Sequence, residues 1–302
     1  MPLTQGTMTN PNADRVRRIA ELTRAKTRRK VGRMLVEAPQ AVREAVTFHP
    51  ERVEDVYIAI DEDGNTVSAR AAEIAAYIMG HKDECGGIYV HYVTQRVMDA
   101  ISGDAQGIAA VASTKGMAGR LADFAAGGDN DVDGRRGPLT IAAFWQVRDP
   151  GNAGTVIRTA DAAGADAVVF VDDCVDPLGP KVVRSTAGSL FHIPVLRASV
   201  DELFAWNADH NASVLAADVR GTGDLKPVPL PELLAAEPKD DAHTSRSILF
   251  GNEARGLDDD ILERCDGIVS IPIYGKAESL NLATSAAVLL YSLAMSSHVG
   301  KM

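Results

Sequence analysis

Three stretches of this 302-residue chain place polar side chains where a fold could use them for chemistry. In DPGNAGTVIRTADAAGADAVVF (149–170), Asn152 stands where a helix cap is favoured and Gly154 admits close backbone approach. Val156, Ile157, Ala160 and Ala163 supply a packing face, and Arg158 falls on another. In SILFGNEARGL (247–257), an apolar strand ends at Gly251-Asn252-Glu253. Backbone groups at such a strand end can hold a ligand, and Glu253 can orient a cation. In SIPIYGKAESLNLATSAAVLLY (270–291), Ser279 or Asn281 can cap a helix of small residues with free N-terminal amides. Each stretch also has a plain structural reading: a surface arginine, an ordinary turn, a core helix.

The familiar nucleotide and hydrolase signatures are absent. Residues 151–154 read G-N-A-G, which is not a dinucleotide fingerprint, and the only G-x-G, at Gly221 and Gly223, runs into Pro227. There is no G-x-x-x-x-G-K-[ST], G-x-S-x-G or H-E-x-x-H. Cys85, Cys174 and Cys265 are far apart with no C-x-x-C, so neither a zinc site nor a disulfide framework is expected, and a reducing cytoplasm is the simplest setting. No apolar run approaches the roughly 20 residues of a membrane span. The first residues have no apolar core and read as a disordered start rather than a signal peptide.

The elements that must position these residues alternate strand and helix. Residues 28–112 read as a small α/β domain, 113–137 as a Gly-rich linker in which MAGRLADFAA is a short helix, and 138–302 as a second α/β domain. Strands separated by helices imply a mostly parallel sheet covered on both faces. A Pro-rich excursion at 221–246 interrupts that pattern. Net charge is −10, yet residues 14–44 hold ten Lys/Arg against four acids, a local +6 that leaves −16 elsewhere. One basic segment on an acidic chain suits docking on a polyanion. Residues 1–27 read as a basic, disordered extension. With 5% aromatic residues, recognition by base stacking is expected to be limited.

Taken together, N-A-G-T-V-I-R-T-A-D-A-A-G-A-D, F-G-N-E-A-R-G-L and I-P-I-Y-G-K-A-E-S-L-N-L-A-T-S-A-A resemble the three signature motifs of the SpoU-type (TrmH-like) RNA 2'-O-ribose methyltransferases of the SPOUT superfamily. The resemblance covers roughly residues 28–300. RRKVGRMLVEA and QGIAAVAS look like the two ends of that family's substrate-binding domain, with Glu37-Ala38 where the family often has Glu-Gly. The linker and the 221–246 excursion look long for the family.

The resemblance implies a parallel α/β domain with a C-terminal deep trefoil knot, preceded by a small α/β substrate-binding domain. It implies a homodimer and bound S-adenosylmethionine, contacted at Gly251, Ile271 and Leu280. By motif position the functional polar residues are Asn152, Arg158, Glu253, Ser279 and Asn281, and no metal is needed. The implied reaction is methyl transfer to a ribose 2'-hydroxyl, with 23S rRNA favoured over tRNA and an antibiotic-resistance enzyme or a non-catalytic RNA-binding protein as alternatives. The family often casts this arginine as the base. A guanidinium stays protonated, which favours Arg158 binding the phosphate beside the target ribose and stabilising the developing alkoxide, with Glu253 and Asn281 holding the arginine.

Overall fold

The computed structural model describes residues 6–125, 138–236 and 245–297. It divides into two compact units: one of residues up to Gly116 together with Asp176–His192, the other of Met117–Val175 and the chain from Ile193 onward.

The first unit opens with helices α1 (Asp14–Ala20) and α2 (Ala25–Val31). Strand β1 (Arg33–Glu37), helix α3 (Pro39–Phe48), strand β2 (Val53–Ile60), helices α4 (Ala69–Gly80) and α5 (Lys82–Cys85), strand β3 (Tyr89–Thr94), helix α6 (Gln95–Ile101) and strand β4 (Ile108–Ser113) follow. The sheet order is β1-β4-β2-β3, with β4 antiparallel to both neighbours and β2 parallel to β3. The expectation of a disordered start to residue 27 is corrected here. Val16, Ile19 and Leu22 recur at helical spacing and are buried with Leu35, Tyr57 and Val97. Their burial outweighs the charge of the segment. Arg28 is itself buried, donating to the carbonyls of Leu22 and Thr23 and pairing with Asp176 at 2.6 Å.

Residues Asp176–His192 join this unit through two further pairs. Glu37, only 2% exposed, accepts from Arg184 and from Ser102, and His192 lies 3.2 Å from Glu44. Ala38, where the resembled family often carries glycine, has φ 76° and ψ 142°. That region suits glycine and costs other residues about 1–3 kcal/mol. Ala38→Gly is therefore expected to raise unfolding stability by about 1 kcal/mol, read from a denaturant midpoint at unchanged slope. No gain would mean that the Glu37 network tolerates the strained backbone without cost.

The second unit is an eight-stranded sheet. Its elements are β5 (Gly119–Arg120), β6 (Thr140–Trp145), α7 (Pro150–Ala162) and β7 (Ala167–Val171), then, after α8 (Pro180–Ser185) of the first unit, β8 (Val195–Ala198) and α9 (Val200–Asp209). They continue with β9 (Ser213–Ala217), β10 (Val228–Pro229), α10 (Leu230–Ala236), β11 (Arg246–Phe250), α11 (Asp259–Leu262), β12 (Gly267–Ser270) and α12 (Leu282–Ser297). The order is β10-β12-β9-β11-β6-β7-β8-β5, and every pairing is parallel. Its strands read as continuous apolar runs because both faces are covered: β7 and β11 are buried along their whole length.

Two segments read from sequence as loose are partly built into this sheet. Within the expected linker, Gly119–Arg120 pairs with β8 and Leu121 is buried, so a strand and a 3₁₀ turn replace the expected short helix. Within the expected excursion, β10 adds an edge strand beside β12. Residues 126–137 and 237–244 of these segments lie outside the described residues.

Candidate active site at the carboxyl edge of the sheet

Helix α7 is started by Asp149, not by Asn152. The Asp149 carboxylate accepts from the Asn152 backbone amide at 2.8 Å, and Pro150 occupies the first turn. An aspartate before a proline is a local cap signature, so the sequence carried the information. The Asn152 side chain is thereby left free to bridge. Its Nδ2 donates to Glu253 Oε1 at 3.2 Å, and its Oδ1 accepts from Asn281 Nδ2 at 3.1 Å. Asp149 N also donates to Glu253 Oε1, at 3.4 Å.

Asn281 does cap α12. Its Oδ1 accepts from the amides of Ala283 (2.8 Å) and Thr284 (3.4 Å), leaving Nδ2 for Asn152. Helix α12 packs against α7, and Ala153, Gly154, Val156 and Ile157 are buried in the latter. The three motif segments therefore meet through one continuous polar bridge, Asn281–Asn152–Glu253.

Glu253 is positioned by a tight loop after β11. Asn252 and Gly256 exchange backbone hydrogen bonds at 3.1 and 2.9 Å, and Asn252 Nδ2 donates to the Gln146 carbonyl at 2.8 Å. Gly256 takes φ +74°, and a Cβ on Gly251 would lie 2.4 Å from the Gly256 carbonyl carbon. Only glycine fits at 251 while the loop keeps this fold.

Beyond the ends of β9, β11 and β12 lies a cavity of about 450 Å³. Gly251, Ile271 and Leu280 line it, as do Glu253, Ser279 and Asn281. The strands' carboxyl ends are where open parallel sheets hold ligands. Phe250, Val269, Ile273 and Leu282 supply apolar wall, and the polar share is mixed, with the carboxylates Asp218 and Glu253 matched by Arg220 and Arg255 beside amide and hydroxyl groups. Such a lining suits a ligand with an apolar ring and several polar groups, and the volume is that of a small-molecule site. Among the described residues, no group of three or more His, Cys, Asp or Glu could hold a metal ion.

Arg158 stands apart. It is exposed, and among the described residues its side chain has no hydrogen bond or ion pair. The expectation that Glu253 and Asn281 hold it is corrected: both are engaged by Asn152. Helical geometry explains this. Six residues separate Asn152 from Arg158, which rotates the arginine by about 240° round α7.

Sequence reasoning missed Asp218 and Arg220, which also line the cavity. The Asp218 side chain is 6% exposed and pairs with Arg220 at 3.4 Å. Hydrogen bonding to Asp218 raises the Arg220 guanidinium pKa above its usual value. Their only local signal is position, directly after an apolar strand. Arg255 was likewise missed; it lies 4.7 Å over the Trp145 ring and donates to Gln146 Oε1 at 2.9 Å.

A wholly parallel α/β unit with a cavity beyond its strand ends, and a polar bridge there between two loops and the first turn of a helix, defines a ligand-binding domain of the α/β class. Residues 140–291 match the model of the SpoU rRNA Methylase family, half of the chain, and the chain belongs to that family. It is 44% identical over 151 residues to the 23S rRNA (guanosine(2553)-2'-O)-methyltransferase RlmP of Bacillus subtilis, covering 49% of this chain and 54% of that one. It is 36% identical over 149 residues to the 23S rRNA (uridine(2479)-2'-O)-methyltransferase of Streptomyces viridochromogenes, covering 49% and 50%. The chain thus spans about half the length of these curated relatives. An AdoMet-bound rRNA methyltransferase from Sinorhizobium meliloti superposes with TM-score 0.73 at 25% identity, over 95% of this chain and 96% of that one.

Proposed function

We propose that this protein transfers a methyl group from S-adenosylmethionine to a ribose 2'-hydroxyl of 23S rRNA. The observation that carries this reading is the Asn281–Asn152–Glu253 bridge at the rim of the carboxyl-edge cavity. It unites all three family motifs at one ligand-sized site. The names of the relatives point to the same reaction and RNA class.

The cavity fits the cofactor by its chemistry. Apolar side chains suit adenine, the backbone at Gly251, Ile271 and Leu280 offers the groups that can read its edge, and the Glu253 carboxylate suits the cationic sulfonium end. When bound, the cofactor supplies a methyl carbon already activated as an electrophile. The chain must then align the ribose hydroxyl and accommodate its proton. Asn152 and Asn281, fixed by their mutual bond, orient groups at the rim, and Ser279 adds a hydroxyl beside them. Arg158, without a side-chain partner among the described residues, is assigned to the phosphate beside the target ribose and to the developing alkoxide. We assign the 251–257 and 271–281 segments, which line the same cavity, to the family's trefoil knot.

A homodimer completes this reading. Val288, Tyr291 and Met295 are exposed on α12 at 37%, 40% and 56% and recur on one helical face. The same helix packs on α7. Met295→Glu is expected to shift sedimentation from dimer toward monomer at micromolar concentration; an unchanged dimer would place the interface elsewhere.

The first unit is assigned to RNA docking. Arg18, Arg24, Lys26, Arg29 and Lys30 carry charge at the surface of α1 and α2, and among the described residues none of their side chains is in an ion pair. Replacing Arg24, Lys26, Arg29 and Lys30 by Ala is expected to flatten the log-log salt dependence of rRNA binding. The slope should fall by about 0.7–0.9 for every phosphate that is no longer neutralised. An unchanged slope would remove this segment from the RNA interface. A cytoplasmic setting agrees with the free Cys85, Cys174 and Cys265.

The function is tested by incubating the protein with methyl-labelled S-adenosylmethionine and, separately, unmodified rRNA and tRNA. Label in rRNA is the expected result. Label confined to tRNA would change the substrate class, and cofactor binding with no label in either RNA would favour a non-catalytic role.

A further inference from the structure

We propose that Asp218 receives the vicinal hydroxyls of the cofactor's ribose, with Arg220 as the positioning residue that holds its carboxylate. The inference rests on the cavity beyond β9, β11 and β12 being the S-adenosylmethionine site.

Asp218 follows β9 directly, at the carboxyl edge of the parallel sheet. Its side chain is 6% exposed, yet it lines the cavity. A carboxylate in such a place carries a desolvation cost that partners must offset. The partners present do so unevenly. Oδ1 accepts the Arg220 backbone amide at 2.8 Å, while the Arg220 Nε and Nη2 contacts and the Leu257 amide are all at 3.4 Å. One contact of ordinary length and three long ones leave acceptor capacity on a group with about four lone-pair sites.

The 2.8 Å contact from the Arg220 amide sets the direction of the carboxylate, and the longer contacts surround it more loosely. Arg220 donates at once to Asp218 and to the Leu257 carbonyl, while Leu257 N–H donates to Asp218. Both backbone groups of Leu257 are thus engaged by this one pair. Leu257 closes the loop that begins at Gly251, which leaves the neighbouring strand and lines the same cavity. Asp218 Oδ2 would lie 3.0 Å from a Cβ at Gly256, which places the carboxylate tightly against that loop. A charged acceptor in a cavity that also has apolar lining matches an adenosyl group: ring on apolar side chains, diol on the carboxylate. Two adjacent hydroxyls donating to one carboxylate form charge-assisted hydrogen bonds, the stronger kind.

The test compares S-adenosylhomocysteine with its 2',3'-dideoxyadenosyl analogue by calorimetric titration of the full chain. The wild type is expected to bind the analogue about 10- to 100-fold more weakly. Asp218→Ala should bind both ligands with the same reduced affinity, and Asp218→Asn should retain only a several-fold preference. A wild type that binds both alike overturns the inference and leaves the cavity assignment standing. Full discrimination by Asp218→Ala or by Asp218→Asn also overturns it, because the diol is then read elsewhere. A wild type that binds neither ligand overturns the cofactor assignment itself, and the inference falls with it.

Discussion

Arg158→Ala is expected to lower methyl transfer by about 10²–10³-fold while changing cofactor affinity by less than about twofold. The two halves of this expectation have separate causes. Arg158 does not line the cavity, and the bridge residues that do are engaged with Asn152 instead. Its exposed position on α7 means that its removal leaves no buried partner unpaired, so stability should be little affected. The guanidinium is assigned to charge that develops at the ribose oxygen and to the neighbouring phosphate. Removing a donor of that kind from a transition state typically costs the stated factor. Arg158→Lys should recover only part of the rate, since a lysine offers a point charge without the two-pronged geometry. Single-turnover rates and cofactor titrations on the same preparations would read both quantities. Near-normal turnover by Arg158→Lys would remove bidentate phosphate contact from the account.

Gly251→Ala has the second large effect, through geometry alone. The added Cβ would meet backbone at 2.4 Å (Gly256 C), 2.6 Å (Leu257 N) and 2.8 Å (Gly256 Cα). Backbone cannot rotate away as a flexible side chain can, so the 251–257 loop must shift. Overpacking of this kind costs about 1–3 kcal/mol of stability. The shift also displaces Glu253, which sits inside the loop and holds Asn152. Cofactor affinity is expected to fall at least about tenfold with a lowered thermal midpoint. An unchanged cofactor affinity would show that the loop does not form the cofactor wall.

The candidate site of the second unit was legible in the sequence because its signals are local. Gly251, Ser279 and Asn281 each lie in a short string whose residue types have a direct conformational meaning, and the structure brings those strings together. The unit boundary was not legible. Asp176–His192 joins the first unit through Arg28–Asp176 and Arg184–Glu37, partners 148 and 147 residues apart. No local pattern announces pairing at such separations. Helix α1 was hidden for another reason: its charges dominate the composition, while only Val16, Ile19 and Leu22 carry the burial of its segment. Asp218 and Arg220 were missed because they form no motif. They matter only once β9 and β11 are neighbours, which the parallel pairing of Ala217 with Phe250 establishes.

The wild-type and Arg158→Ala proteins, each incubated with S-adenosylmethionine and unmodified rRNA, provide the most direct test when the RNA is digested to nucleosides and analysed by mass spectrometry. A single 2'-O-methylated nucleoside, present with the wild type and missing with Arg158→Ala, is the predicted result. A base-methylated nucleoside would contradict it: the fold and cofactor would stand, but the ribose hydroxyl would not be the nucleophile.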